Sequence, residues 1–475
     1  MTQAQQTPLC VDLDGTLIRS DVLLESILNI IIRKPYLLLL FPLWLSQGKA
    51  RFKHKIAENA HINPAQLPYN EELLDYLHNQ KQQGRSLILA TASHSKPAAQ
   101  IAAHLNIFDD IIASNTDTNM SGKNKLAEMT RRFGVKNFSY AGNASIDLNI
   151  WPHCQEAIVV NGNTQVRKNA DKVANVVLEI GKQPSLLPQL FRATRVYQWP
   201  KNLLIFVNLA MAHQLGEGQL LLQTTLAFIA FCLCASSVYL TNDLCDLQAD
   251  RQHDTKKDRP FASGKLSITW GFCLAPILLV SALALTAILP LMFTLALCAY
   301  YLVTLAYSFL LKKIAIIDVI VLAGLYTLRI VAGATIMGTF PSFWLMAFSM
   351  FLFMSLAVAK RYAELYSLQP SQAQNIQRRG YVYSDAETLS SLGITSGYMA
   401  ILVLALYINS TAIVRLYTHP ELIWLLCPIL MYWISRIWLL ARRGSLDQDP
   451  VLFAIRDTKS YLMAAIILLV IWFAR

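Results

Sequence analysis

The chain changes its hydrophobic rhythm near residue 190. Before that point, short apolar runs recur at 9–13, 87–90, 111–113, 138–141 and 157–160, separated by helical stretches rich in Lys, Gln, Ala and Glu. Short buried strands alternating with helices predict a parallel sheet. From about residue 195 onward, long apolar runs follow one another, centred near 207, 230, 279, 300, 327, 351, 402, 430 and 466. A helix needs about 20 apolar residues to cross a bilayer, so nine transmembrane helices are expected. The pattern divides the chain into a soluble α/β domain over residues 1–190 and an all-α membrane domain over 195–475. The segment GKQPSLLP at 181–188 reads as the linker.

One run breaks the first pattern. Residues 36–45 read YLLLLFPLWL, too short to span a membrane. Arg33 and Lys34 precede it, and Lys49, Arg51 and Lys53 follow. It either lies in the membrane interface or forms the buried core of a helical subdomain.

Composition supports a membrane protein, with 54% hydrophobic and only 15% charged residues. The net charge of +11 does not point to nucleic acid. In the second half the cations gather in alternate connections: Arg251 to Lys265, Lys312 and Lys313, Lys360 to Arg379, and Arg442 to Lys459. The opposite connections contain only Arg415. By the positive-inside rule the basic connections and the N-terminal domain face the cytoplasm, which for a bacterial chain means the inner membrane. Eight cysteines show neither zinc spacing nor a disulfide framework. The N-terminus MTQAQQTPLC lacks the basic and apolar regions of a secretory signal.

The richest polar stretch is NDLCDLQADRQHDTKKDRPFASGK at 242–265, between two apolar runs. On a helix Asn242, Asp246 and Asp250 share a face, with Asp243 one step round. Hard oxygen ligands of this kind suit Mg²⁺, completed by water and substrate phosphate. Lys256, Lys257, Arg259 and Lys265 then supply cations for a diphosphate. A solvated, charge-rich loop is the plainer reading, and the regular carboxylate spacing speaks against it. The stretch resembles the first aspartate-rich motif of the UbiA superfamily of intramembrane prenyltransferases. That resemblance implies catalytic roles for Asp243, Asp246 and Asp250, with Asn242, Asp246 and Asp250 as metal ligands.

The N-terminal domain carries VDLDGTL at 11–17. Two carboxylates two residues apart at a strand end point the same way, and Gly15 lets the chain turn. This motif resembles the haloacid dehalogenase superfamily, mostly phosphatases with a Rossmann-like fold and a cap. The resemblance implies that Asp12 is the nucleophile and Asp14 the acid/base. Thr91 would bind phosphoryl oxygen and Lys125 would neutralise charge, with Lys123 as its rival. Asp12, Asp14 and Asp147 would hold Mg²⁺, and the helical residues 20–80 would form the cap. One departure is Asn143, where the family often has aspartate.

Aromatic prenyltransferases of the UbiA superfamily usually carry a second DxxxD motif. Here Asp318 stands alone, followed by VIVL, near Lys312, Lys313 and Arg329. An Arg one span deep marks a substrate path or has a structural partner. The stretches RVYQWPKN, LAVAKRYAEL and DPVLFAIRD resemble the decaprenyl-phosphate phosphoribosyltransferase branch, which transfers 5-phosphoribose from phosphoribosyl diphosphate to a polyprenyl phosphate. Asp254 departs from that branch, which tends to have proline. The resemblance implies a membrane-lipid substrate and substrate contacts from Lys201, Lys256, Arg259, Lys312, Asp318, Arg329, Lys360 and Arg361. The fusion of both motifs in one chain leads to the expectation that the N-terminal domain dephosphorylates the product or a related ester. An aromatic prenyltransferase acting on a polyprenyl diphosphate is the alternative, and two intact acid motifs speak against a non-enzymatic binding protein.

Overall fold

Apolar residues flanked by loop-forming ones build the sheet of the N-terminal part. The computed structural model describes residues 7–366, 380–410, 417–446 and 450–474. Arg378, Arg379 and Arg415, used in the topology expectation, and Asp449 of DPVLFAIRD lie outside them. Six strands form one parallel sheet in the order β3-β2-β1-β4-β5-β6. They are β1 (Leu9–Val11), β2 (Leu87–His94), β3 (Asp110–Ser114), β4 (Ser139–Gly142), β5 (Ala157–Val160) and β6 (Val176–Ile180). In register, Val11 pairs with Leu89 on one side and Ala141 on the other. Buried residues cover both faces: Leu9, Val11 and Leu89 belong to one cluster, Cys10, Ile88 and Tyr140 to the other.

Five of these strands match the expected runs, and β6 is an addition. Its residues alternate between half-buried and exposed until Ile180, and Glu179 interrupts its apolar residues. β1 ends at Val11 rather than residue 13, because Leu17 N–H bonds back to Asp12 O and Gly15 N–H to Ser20 O. The chain order reverses between β1 and β4, which opens a crevice beyond their carboxyl ends. Helices Val22–Arg33 and Lys49–Asn59 lie between β1 and β2, in the span where a cap is expected.

The expected run at 36–45 forms a 3-10 helix, Pro35–Leu40, and a short helix, Phe41–Ser46. Leu37 and Trp44 are buried with Ile30 and Ile56. Tyr36, Leu39, Leu43 and Leu45 are exposed. The segment thus supplies a small cap core on one side and an apolar surface on the other.

In the remainder, seven helices among the described residues are long and apolar enough to cross a membrane, from Gly218–Cys245 to Pro420–Arg442. The nine expected runs include two that fall short of this. The run near 207 is a 3-10 segment, Val196–Phe206, followed by the five-residue helix Val207–Met211. Pro200 lacks the amide hydrogen an α-helix would use there. The segment also packs closely on helix Ile317–Ile336, where a Cβ at Gly333 would meet Ile205 O at 2.0 Å. The run near 466 is Thr458–Ala474, 17 residues.

The contacts divide the chain into two compact units, Met1–Thr194 with Tyr239–Ala275, and Arg195–Val238 with Pro276–Arg475. The Asp-rich stretch, read in sequence as part of the membrane domain, therefore packs within the first unit.

Candidate active sites

Asp12 and Asp14 stand where β1 ends. Asp12 N–H bonds to Ala141 O of β4 at 3.0 Å, which fixes the backbone at the crevice. Gly15 has φ +77°, and a Cβ there would meet Asn143 Nδ2 at 2.1 Å, so the turn needs glycine. Lys125, buried on helix Lys123–Phe133, places Nζ 2.7 Å from Asp12 Oδ1 and 3.1 Å from the Tyr140 hydroxyl. Tyr140 in turn donates to Asp147 Oδ1 at 2.9 Å. Lys123 is exposed at the first turn of the same helix, and of the two lysines it is Lys125 that contacts Asp12.

Asp14 accepts from Val22 N–H at 2.8 Å and from Ser93 Oγ at 2.7 Å. Burial and the nearby Asp21 push its carboxyl up to about 7. Asp147 accepts from the backbone N–H groups of Asn143 and Ala144, each at 3.0 Å. Burial and Asp12 raise it to about 6. Burial works against the Lys125 ammonium, but Asp12 and Asp147 outweigh it and raise its pKa. The three acids and Lys125 line one cavity of ≈ 160 Å³.

β2 continues to His94, and Thr91 is fully buried, with its hydroxyl 3.5 Å from Asp14 Oδ2. Ser93 and Ser121 line the cavity, and Ser93 N–H bonds to Thr91 Oγ1 at 2.9 Å. Strand alternation puts residues 91 and 93 on one face, the signal that could have found Ser93. Lys53 and Asp21 also line the cavity. Lys53 comes from the cap and donates to Ala92 O at 2.6 Å and Asn119 Oδ1 at 2.9 Å. Burial lowers its pKa, against the pull of Asp14 and Asp21. The sequence showed Lys53 only as a basic flank of the apolar run, and Asp21 reads locally as a helix N-cap.

At the Asp-rich stretch, helix Gly218–Cys245 ends and a short helix, Leu247–Arg251, begins after Asp246. Asp246 N–H still bonds to Asn242 O, and Asp250 N–H to Asp246 O, both at 2.8 Å. The side chains brought together are Asp243 and Asp250. Arg259 NH1 contacts Asp243 Oδ1 at 3.1 Å and Asp250 Oδ2 at 2.6 Å. Arg259, expected to meet substrate phosphate, thus serves in this structure as the cation between two acids. Burial raises the Asp250 carboxyl, and Arg259 opposes that rise. Asn242 Oδ1 is buried with no hydrogen-bond partner. Asp246 and Lys256 are half-buried.

Among the described residues, no group of three His, Cys, Asp or Glu side chains is placed to hold a metal. Mg²⁺ does not require one, since it commonly takes one or two carboxylates with water and phosphate oxygens. The crevice acids, with Asp14 and Asp147 raised by burial and neighbouring carboxylates, fit that ion. So does the orphaned Asn242 oxygen beside acids bridged by a single guanidinium.

In the second unit Asp318 is fully buried, accepting from Arg361 Nε and, at 2.6 Å, from the Tyr381 hydroxyl. Arg361 also contacts Glu364 and the Tyr307 hydroxyl. Two expected substrate residues are therefore paired with each other. Arg329 is buried, donates to Asn202 Oδ1 at 2.9 Å and the Tyr300 hydroxyl at 3.1 Å, and lies over the Tyr300 and Tyr326 rings. These are the structural partners foreseen as the alternative to a substrate path. Lys201 lies 6.0 Å from the Tyr326 ring centroid, while Lys312 and Lys360 are half-buried.

The model of the UbiA prenyltransferase family matches residues 203–462. An uncharacterized protein of Sinorhizobium fredii, y4nM, is 34% identical over 98% of this chain and 90% of its own length. The nodulation protein NoeC of Azorhizobium caulinodans is 35% identical over 56% of this chain and 87% of its own. Decaprenyl-phosphate phosphoribosyltransferase of Mycolicibacterium smegmatis is 35% identical over 39% of this chain and 59% of its own. Among solved structures, a UbiA homolog from Archaeoglobus fulgidus bound to GPP and Mg²⁺ overlaps 59% of this chain and 97% of its own, with 17% identity and a TM-score of 0.46.

Proposed function

The chain belongs to the UbiA prenyltransferase family, and within it we propose a bifunctional, multi-pass enzyme of the inner membrane with both sites facing the cytoplasm. One site transfers 5-phosphoribose from phosphoribosyl diphosphate to a polyprenyl phosphate. The other removes the 5-phosphate from that product or hydrolyses a related ester.

The observation that carries the donor assignment is the fate of Asp318. An aromatic prenyltransferase of this family usually has a second acid pair for diphosphate-bound metal. Here the lone acid is buried against Arg361 and Tyr381, and the phosphoribosyltransferase relatives support the same reading. In the reaction, a lipid phosphate oxygen attacks C1 of the ribose while the C1–diphosphate bond breaks. Asn242, Asp246 and Asp250 are the groups to hold Mg²⁺, which when bound neutralises charge on the departing diphosphate. Lys256 and its basic neighbours face the anionic substrates.

In the crevice, Lys125 orients Asp12 for attack on phosphorus. Asp14, raised to about 7, retains its proton near neutrality and can give it to the leaving oxygen. Asp147, with Asp12, would hold Mg²⁺ there. Ser93 and Lys53 supply donors to phosphoryl oxygens.

Purified protein given Mg²⁺, polyprenyl phosphate and phosphoribosyl diphosphate should form polyprenyl-phosphoryl-ribose, detected by mass spectrometry. Asp12→Asn should instead accumulate the 5-phosphorylated lipid. Prenylation of 4-hydroxybenzoate from a polyprenyl diphosphate, without consumption of phosphoribosyl diphosphate, would establish the aromatic alternative.

A further inference from the structure

Arg251 follows Asp250 directly, yet its side chain turns away from the acids. Its NH2 lies 2.5 Å from Glu25 Oε1 and its NH1 3.2 Å from Glu25 Oε2, a bidentate pair. The two side chains are 7% and 5% exposed. The same guanidinium reaches Gln66 O at 3.3 Å through NH1 and Ala262 O at 3.1 Å through Nε. These residues all belong to the first compact unit.

The partners of Arg251 occupy a particular place. The chain leaves the sheet for the cap through residues 17–21 and returns through 66–70. Arg19 N–H bonds to Pro68 O at 2.8 Å and Asn70 N–H to Leu17 O at 2.9 Å, so the two crossings form one hinge. Glu25 lies in the first turn of the cap helix and accepts from Ser20 Oγ at 2.5 Å. Three residues before it, Val22 N–H bonds to Asp14. A second contact is made at Gly264, where φ is +69° and a Cβ would meet Arg19 O at 2.5 Å. The Asp-rich stretch therefore grips both crossings of the phosphatase hinge, one residue from a proposed metal ligand and three from the general acid's backbone donor.

We propose that Arg251 is a positioning residue that braces the Asp-rich stretch against the cap hinge through Glu25, so that diphosphate binding at the stretch and closure of the phosphatase cap are linked. The inference rests on the transferase reading of that stretch. Linkage is reciprocal: whatever the stretch gains by being held, the hinge must feel when the stretch binds its ligand. Removing Glu25's charge leaves the Arg251 guanidinium buried without its counter-charge, which the fold relieves by moving the stretch.

The test uses the full chain in phospholipid nanodiscs. Glu25→Gln lies in the phosphatase cap, outside every acid motif, yet it should raise the KM for phosphoribosyl diphosphate in transfer at least five-fold with kcat changed less than two-fold. A merely structural role would instead lower the active fraction, and with it kcat, at constant KM. An unchanged KM overturns the proposal. As a measurement independent of turnover, hydrogen exchange is followed with Mg²⁺ and inorganic diphosphate as the probe. In the parent protein exchange should slow both at 242–265 and at the hinge, 17–25 and 64–70. In Arg251→Gln the slowing at the hinge should disappear. Slowing at 242–265 without any at the hinge overturns the brace alone. No slowing at 242–265 removes the transferase reading, and this proposal falls with it.

Discussion

The two acid sites solve the same problem, like charges held together, with different means. In the crevice each carboxylate has its own fixed donors: Lys125 on Asp12, Ser93 and the Val22 amide on Asp14, Tyr140 and two amides on Asp147. Strands hold Ser93 and Tyr140, and helices Val22–Arg33 and Lys123–Phe133 hold Val22 and Lys125. In the Asp-rich stretch one guanidinium, that of Arg259, serves both Asp243 and Asp250. Its side chain is 29% exposed, and it comes from a loop rather than a strand. The crevice acids are thus held through separate donors, Asp243 and Asp250 through a shared one. A shared, partly exposed bridge is the one a single substitution can open.

The largest expected effects separate the sites outright. Asp12→Asn should lower phosphate-ester hydrolysis by at least about a hundredfold and leave transfer within two-fold. Asp250→Asn should do the reverse. Parallel assays on one purified preparation check both, and equal losses in either variant would mean the sites are not separate.

A smaller contrast tests the organisation itself. Lys125→Gln should slow hydrolysis by about tenfold or more, while Lys123→Gln, on an exposed side chain of the same helix, changes it less than two-fold. Arg259→Gln should reduce transfer by a similar factor, but with faster hydrogen exchange across 242–265, because its guanidinium contacts both Asp243 and Asp250. Lys125→Gln should leave exchange in the crevice nearly unchanged.

The smallest effect is a pH dependence of stability, measured by thermal unfolding in EDTA. Asp14 and Asp147 have carboxyls raised to about 7 and about 6 from an ordinary 3.8. The folded protein therefore binds more protons than the unfolded chain between about 4 and 7, and stability should fall as pH rises through that window. Asp14→Asn should flatten the fall, and Mg²⁺, which needs ionised carboxylates, should oppose it. A parent protein that gains stability over the same range would show that these acids are not raised.

Much of this was legible in the chain. Five strands and the seven long apolar helices among the described residues follow from hydrophobic period, because burial and strand direction act locally. The edge strand Val176–Ile180 did not, since Val177 and Glu179 face solvent. The run near 207 failed as a span because Pro200 and the close approach at Gly333 break it, the latter a contact more than a hundred residues away.

The remaining choices were made by the tertiary structure. Sequence preferred Lys125 with Lys123 as its rival, and the rotation of one helix buried only Lys125 against Asp12. It named Thr91, and two further residues of strand add Ser93 to the cavity lining. It grouped Arg259 with the phosphate binders, Asp318 and Arg361 with the substrate residues, and saw nothing in Glu25. Folding paired them as Arg259 with Asp243 and Asp250, Arg361 with Asp318, and Glu25 with Arg251. Local pattern fixes which residue types stand at an element's end. Which charge meets which across 226 positions depends on packing that no local period encodes.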